Sequence, residues 1–219
     1  MGILQEHEVF EIEVLERLKN SGLLKPLVFI GGTMLRLCYE LNRYSTDLDF
    51  WLVRKIDQRT YFAEVKKYLG RFYEVTDAQM KMKTLLWELR SKNYPKRLKI
   101  EARRQVQRCD SEERIAFSVH STRQVILKVH TLKEAMQNKI EAALNRKDIR
   151  DFFDIEFLLR QGALLGVKEP RLAQLKRIAG AFKENDYKVT LGSVLDAETR
   201  KYYLKNKFTY LLIKINEKK

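Results

Sequence analysis

Cysteine, histidine, glycine and proline are all scarce in this 219-residue chain, and each shortage closes off a class of protein. The two cysteines, Cys38 and Cys109, belong to no Cys-x-x-Cys pair, which removes the basis for a disulfide framework or a thiolate metal site. His7, His120 and His130 share no metal-ligand spacing, so a zinc centre is not expected. Nine glycines and three prolines leave no Gly/Ser linker, and no repeat or low-complexity tract is visible. No apolar run is long enough to span a bilayer, and the opening Met1 to Glu8 lacks the basic n-region and apolar h-region of a signal peptide. A cytoplasmic protein with no membrane partner is the expectation.

What is present is enough apolar material for a core and an excess of positive charge. Hydrophobic residues make up 45% of the chain and are spread along its whole length, which excludes a disordered polypeptide. Lysine and arginine number 43 against 29 acids, a net charge of +14 that suits a polyanionic partner such as RNA, DNA or nucleotide phosphates, though it also serves solubility. Lys96, Arg97, Lys99, Arg103, Arg104 and Arg108 crowd one stretch with only Glu101 opposing them. A second cluster, Arg200 to Phe208, mixes cations with Tyr202, Tyr203 and Phe208; it reads either as a single-strand binding surface or as an ordinary amphipathic element.

Periodicity predicts an amphipathic helix over 6–20, with Val9, Ile12, Leu15 and Leu18 at helical spacing. A buried strand over 26–30 stops at Gly31-Gly32, a helix covers 33–42, a second strand covers 47–53, and another helix covers 58–69. Strand-like runs follow at 71–75, 84–89, 97–102 and 124–129. Thr131-Leu132-Lys133-Glu134 is a capping box, and helices are predicted over 132–147, 150–160 and 170–183, with the remainder ambiguous. The expected class is α/β (α+β): a mixed sheet flanked by helices over 1–130, then a mainly helical unit over 131–219 that completes a cleft.

The chemistry concentrates in Phe29-Ile30-Gly31-Gly32-Thr33-Met34-Leu35-Arg36 and Arg43-Tyr44-Ser45-Thr46-Asp47-Leu48-Asp49-Phe50. A strand that runs through Gly-Gly into a helix lets backbone approach a ligand, and the new helix offers unpaired N–H groups to phosphate. Thr33 adds a hydroxyl there. Residues i and i+2 of a strand share a face, so the Asp47 and Asp49 carboxylates converge. Two like charges so placed are disfavoured without a cation, and hard oxygen donors suit Mg²⁺. A third carboxylate on a neighbouring strand would complete a two-ion site; Glu101, out of phase with apolar Leu98 and Ile100, is the candidate, and Glu88 its rival.

These segments resemble the nucleotidyltransferase signature of the AbiEii/AbiGii toxin family, within the polymerase-β-like nucleotidyltransferase superfamily. The first block is Gly31-Gly32-Thr33-x-Leu35-Arg36 with Arg43-x-Ser45-x-Asp47-x-Asp49-Phe50. The second is Lys139-Ile140-Glu141-Ala142-Ala143-Leu144-Asn145-Arg146 with Arg150-Asp151-Phe152-Phe153-Asp154-Ile155. The resemblance implies a toxin of a toxin–antitoxin or phage-defence system, with an antitoxin partner and an NTP substrate. For some members it implies transfer of nucleotides to the acceptor end of tRNA. By position it implies metal binding by Asp47 and Asp49, triphosphate binding by Gly31, Gly32 and Thr33, and catalytic roles for Lys139 and Asp154.

The residues of the second block allow that role. Lys139 and Arg146, seven apart, share a helical stripe and could face the triphosphate. Arg150 and Asp154 could instead brace each other at i,i+4, and acids such as Asp151 are favoured by the dipole at a helix start. Arg36 and Arg43 suit phosphate, or pairing with Asp47 or Asp49; Ser45 and Arg146 join the nucleotide-binding set. The expectation is therefore a Mg²⁺-dependent enzyme, with two ions, that transfers NMP from an NTP to an acceptor hydroxyl on RNA, tRNA foremost. A non-catalytic RNA-binding module on the same scaffold and an enzyme that nucleotidylates protein are the alternatives.

Overall fold

The computed structural model describes residues 1–217. The chain forms two compact units, one of Met1–Glu40 with Tyr44–His130, the other of Leu41–Arg43 with the chain from Thr131 onward.

The first unit opens with α1 (Ile3–Asn20), followed by β1 (Leu27–Ile30), α2 (Gly31–Tyr39), β2 (Asp47–Leu52) and α3 (Gln58–Leu69). Five strands complete it: β3 (Glu74–Met80), β4 (Thr84–Arg90), β5 (Leu98–Arg103), β6 (Ser111–Ala116) and β7 (Val125–His130). They make one seven-stranded sheet in the order β3-β4-β5-β2-β1-β7-β6. It is mixed: β2 runs parallel to β5 and β1 parallel to β7, while the other neighbours are antiparallel. The four apolar residues of β1 are all buried, as in a central strand covered on both faces. In β5 the alternation is clean, with Leu98, Ile100 and Ala102 inside and Lys99, Glu101 and Arg103 outward. Phe10, Phe29 and Trp87 are among the largest fully buried side chains; burying a residue of this size stabilises by roughly 1.5–3 kcal/mol.

Three differences from the sequence reading have physical causes. The second helix begins at Gly31 and ends at Tyr39, where Glu40 takes a left-handed conformation (φ 64°). The strand expected at 71–75 lies at Glu74–Met80, and β6 had no counterpart in the reading. Both are edge strands, whose open side must discourage pairing with other chains and so keeps polar residues instead of an alternating apolar face. In α1 the buried set is Phe10, Ile12, Val14, Leu15 and Leu18, joined by His7, Glu8 and Glu11, whereas Val9 is half-buried.

The second unit contains α4 (Leu132–Arg146), α5 (Ile149–Arg160) and α6 (Arg171–Ala181), then a π-helical turn (Asp186–Leu191) and a 3₁₀ turn (Gly192–Val194). Helices α7 (Ala197–Asn206) and α8 (Thr209–Asn216) follow. The Thr131 hydroxyl accepts the Glu134 N–H at 3.3 Å and caps α4. Phe152, Phe182, Tyr187, Tyr203 and Phe208 form a continuous aromatic cluster. The buried Glu156 carboxylate accepts from Tyr203 Oη (2.9 Å) and Leu211 N (3.1 Å), which ties α5 to α7 and α8. The single-strand surface considered for Arg200 to Phe208 is therefore corrected: Tyr203 and Phe208 are core, and only Tyr202 of the three rings is exposed.

Candidate active site

Local geometry at the glycine turn acts directly on the two aspartates. Ile30 pairs with Asp49 across β1 and β2, so the turn that follows lies against the Asp49 side chain. Gly31 takes φ +85°, and a Cβ there would stand 2.8 Å from Asp49 Oδ2. Glycine is required twice over, for the left-handed backbone and for the space. Two residues on, the fully buried Thr33 donates its hydroxyl to the Asp47 carbonyl at 2.6 Å. Gly32 is buried in the first turn of α2.

Asp47 and Asp49 share one face of β2, and the parallel register sets Lys99 opposite Asp47 and Glu101 opposite Asp49. Three carboxylates thus gather on two adjacent strands. Glu88, the rival to Glu101, lies one strand further out on β4, where it accepts from Thr76 Oγ1 (2.7 Å) and Arg97 (2.9 Å). Lys99 Nζ stands 3.3 Å from Glu101 Oε1 and 3.7 Å from Asp47 Oδ2. Burial works against the Lys99 charge, but Asp47, Glu101 and Asp49 outweigh it and raise its pKa. These groups are a quarter to nearly half exposed, so each ion pair contributes only about 0–1 kcal/mol. An ammonium held so weakly can yield to a divalent cation. Among the described residues no three His, Cys, Asp or Glu close into a ready-made cage. Mg²⁺ does not ask for one, since it keeps waters and takes one or two carboxylates plus substrate phosphates. The hard oxygen donors, together with the Gly31 space that lets Asp49 approach the turn, fit that ion.

Ser45 is half-buried on the approach to β2. Arg36 pairs with Glu8 at 2.7 Å and stacks over Tyr44 at 4.6 Å. Arg43 belongs to the second unit and binds Asp154 through two hydrogen bonds of 2.6 and 2.7 Å.

In the second unit Lys139 Nζ lies 2.6 Å from Asp154 Oδ2 and 3.5 Å from Asp151 Oδ1. Arg146 holds Asp151 by bonds of 2.9 and 2.7 Å. The cationic stripe of α4 therefore meets the acids of α5. Burial would raise the Asp154 pKa, but Arg43 and Lys139 outweigh it and bring it below the ordinary aspartate value. The Arg150–Asp154 brace offered as an alternative gives way to a closer pair: Arg150 turns back to Asp148, the α5 cap, at 2.6 Å.

A polar cluster in α1 escaped the sequence reading because its letters fit a solvent-facing helical surface. The His7 ring Nε2 is 2.9 Å from the Thr46 carbonyl and 3.5 Å from Glu11. Burial drives the Glu11 pKa well above the usual value, with Glu8 and Asp47 adding to the effect. Both Glu11 oxygens lack a hydrogen-bond partner among the described residues. Glu8 binds Arg36 and Ser118. His7 and Thr33 thus brace the chain at Thr46 and Asp47, two residues before Asp49.

A mixed sheet carrying acids on adjacent parallel strands beside a glycine turn is the framework of a nucleotidyltransferase. The chain belongs to the family described as "Nucleotidyl transferase AbiEii toxin, Type IV TA system", which residues 13–203 match. It is a nucleotidyltransferase toxin, as the resemblance implied. Its fold is similar to JHP933 from Helicobacter pylori, at 22% identity and a TM-score of 0.55, covering 94% of each chain. It is also similar to MenT4, a nucleotidyltransferase toxin from Mycobacterium tuberculosis H37Rv, at 17% identity and a TM-score of 0.56, covering 94% of this chain and 82% of that one. At these identities the likeness concerns the fold alone. The search of curated proteins gave no match.

Proposed function

We propose that this toxin transfers NMP from an NTP to a hydroxyl of RNA, with tRNA as the acceptor, and that it depends on Mg²⁺. The observation that carries the reading is the gathering of Asp47, Asp49 and Glu101 on one face of adjacent strands, beside a helix start that opens on glycine. Asp47 and Asp49 would hold the metal, with Glu101 as the third ligand; two bound Mg²⁺ ions would supply charge neutralisation at the attacking and leaving oxygens.

The residues of the chain do the positioning. Gly31 leaves room for the Asp49 carboxylate, and Thr33 fixes the Asp47 backbone. The N–H groups that open α2 at Gly31 and Gly32 are the proposed donors to triphosphate oxygens. Lys99, beside Asp47 and Glu101, would be a counter-charge for the same phosphates. The acceptor oxygen bonds to the α-phosphorus, the bond from that phosphorus to the β-phosphate oxygen breaks, and pyrophosphate leaves while the hydroxyl proton passes to water. Lys139, Asp154, Arg36, Ser45 and Arg146 remain in the proposed site set. A cognate antitoxin is the proposed protein partner, and the cytoplasm, where NTPs and tRNA are found, the place of action.

Incubation of the protein with total RNA, Mg²⁺ and each α-labelled NTP in turn tests the reading. Label in tRNA-sized RNA, lost in Asp49→Ala, is the expected result and names the nucleotide. Label in polypeptide would replace the RNA acceptor by protein. RNA binding without label from any NTP would leave a binding module.

A further inference from the structure

The basic stretch of the sequence is split by the fold. Strand β5 carries Lys99 at the acidic end of the sheet and Arg103 at the other, since Asp47 faces Lys99 and Trp51 faces Arg103. Four residues of strand separate these positions by about 13 Å.

At the Arg103 end three segments converge. The antiparallel pairing sets Thr84, which follows the β3–β4 turn, opposite Arg103. The Arg104 N–H donates to the Lys83 carbonyl at 2.9 Å, and the Gln107 N–H to the Leu52 carbonyl at 2.8 Å. Arg104 is the clasp between them: its guanidinium donates to the Lys81 carbonyl and to Gln58 Oε1, both at 2.8 Å, while Gln58 Nε2 donates back to the Arg104 carbonyl at 2.8 Å. The β3–β4 turn, the chain after β2 with the start of α3, and the chain after β5 are thereby fixed into one ridge.

Around this clasp stand Arg54, Lys55, Arg59, Lys81, Lys83, Arg103 and Arg108, all exposed. Among the described residues none of them forms an ion pair with an acid. Of the acids near them in sequence, Asp57 is occupied in capping α3 through the Arg59 and Thr60 N–H groups. Cations brought together without ion-pair partners repel one another, and a surface that keeps them on a hydrogen-bonded frame has a use for the field. Arg103 also lies over the Trp51 ring at 5.3 Å, which holds its guanidinium in place.

We infer that this ridge, at the end of the sheet opposite Asp47, is a docking surface for the phosphate backbone of RNA. It rests on the proposal that RNA is the acceptor, and adds where the body of that RNA is held. Point charges from lysine and arginine on turns give binding without sequence preference. The surface therefore supplies affinity and salt dependence, while the choice of nucleotide and of acceptor end belongs to the acidic end of the sheet.

The test measures binding in the absence of NTP, so that a failure of transfer cannot be mistaken for a failure of docking. Fluorescently labelled tRNA is titrated with the whole protein at several salt concentrations. The protein is compared with the variant Lys81→Gln/Lys83→Gln/Arg103→Gln/Arg108→Gln and with a charge-matched control, Lys168→Gln/Lys176→Gln/Arg177→Gln/Lys183→Gln. The ridge variant is expected to bind at least about tenfold more weakly at 150 mM salt, with a salt slope lower by roughly three, and the control to bind as the parent does. Equal losses in both variants, or a ridge variant that binds like the parent, would overturn the inference. So would a parent protein that ignores tRNA and binds anionic phospholipid vesicles instead.

Discussion

Asp49 and Glu101 stand directly opposite each other on neighbouring parallel strands, and the same register sets Asp47 opposite Lys99. Three acids and one ammonium therefore share a face with no bulk between them. Asp49→Asn keeps the size of the side chain and removes a charge from a partly exposed position, so the fold should persist, with stability changed by no more than about 1 kcal/mol. Transfer should fall by at least about a hundredfold, because one of the carboxylates proposed to hold the metal at the reacting phosphate is lost. Thermal melting together with label incorporation checks both halves; a melted variant, or full incorporation, would contradict the assignment.

Gly31→Ala should damage the same site from behind. The added Cβ would meet Asp49 Oδ2 at 2.8 Å on a backbone with φ +85°. The strain is of order 1–3 kcal/mol, and Asp49 has to move to relieve it. Lost transfer with a melting temperature only moderately lowered is the expected pair of results. Unimpaired transfer would show that Asp49 tolerates displacement.

Asp154 answers differently. It is fully buried between Arg43 and Lys139, so Asp154→Ala would leave two buried cations without their carboxylate. Breaking such a network costs about 3–5 kcal/mol. Chemical denaturation should show this large loss, against almost none for Asp49→Asn. The folded-state pKa of Asp154 is depressed, so its contribution is present above the ordinary aspartate value of 3.8 and lost as pH falls through the lower folded value. Acid unfolding below about pH 4 in the parent should consequently be less steep in an Asp154→Asn protein.

His130 gives a milder pH dependence. Burial lowers its pKa from 6.5 to about 4, and its ring packs edge-on against Trp51 at 4.6 Å. A histidine held neutral stabilises fully above pH 6.5, and that contribution fades as pH falls towards 4, by on the order of 3 kcal/mol in all. Denaturation followed at pH 7.5, 6 and 5 should show the decline, and His130→Phe should flatten it. A parent protein equally stable at all three values would rule out a buried neutral ring.

Much of the frame was legible in the letters. Apolar β1 running into Gly31-Gly32, the i, i+2 spacing of Asp47 and Asp49, and the alternation that turned Glu101 outward all follow from local rules. Strand register was not legible, because which residue of β5 faces Asp47 depends on pairing across fifty residues of chain, and so Lys99 went unrecognised as the ammonium between the acids. The edge strands β3 and β6 were misplaced or missed, since strands kept polar along an open edge lack the apolar alternation that marks a strand. His7, Glu8 and Glu11 defeated the reading from the opposite direction: polar letters on a buried face are visible only once something is packed against them.

The short segment Leu41–Arg43 has a consequence for inheritance. It leaves the first unit between α2 and β2, supplies Arg43 to Asp154, and returns before Asp47. A gene fragment beginning at codon 131 would thus encode a helical unit deprived of one of the two cations that balance Asp154. The helical unit is not a portable cassette. Recombination at the 130/131 junction would exchange Asp154 without the Arg43 that matches it, so the two must be passed on, and must change, together.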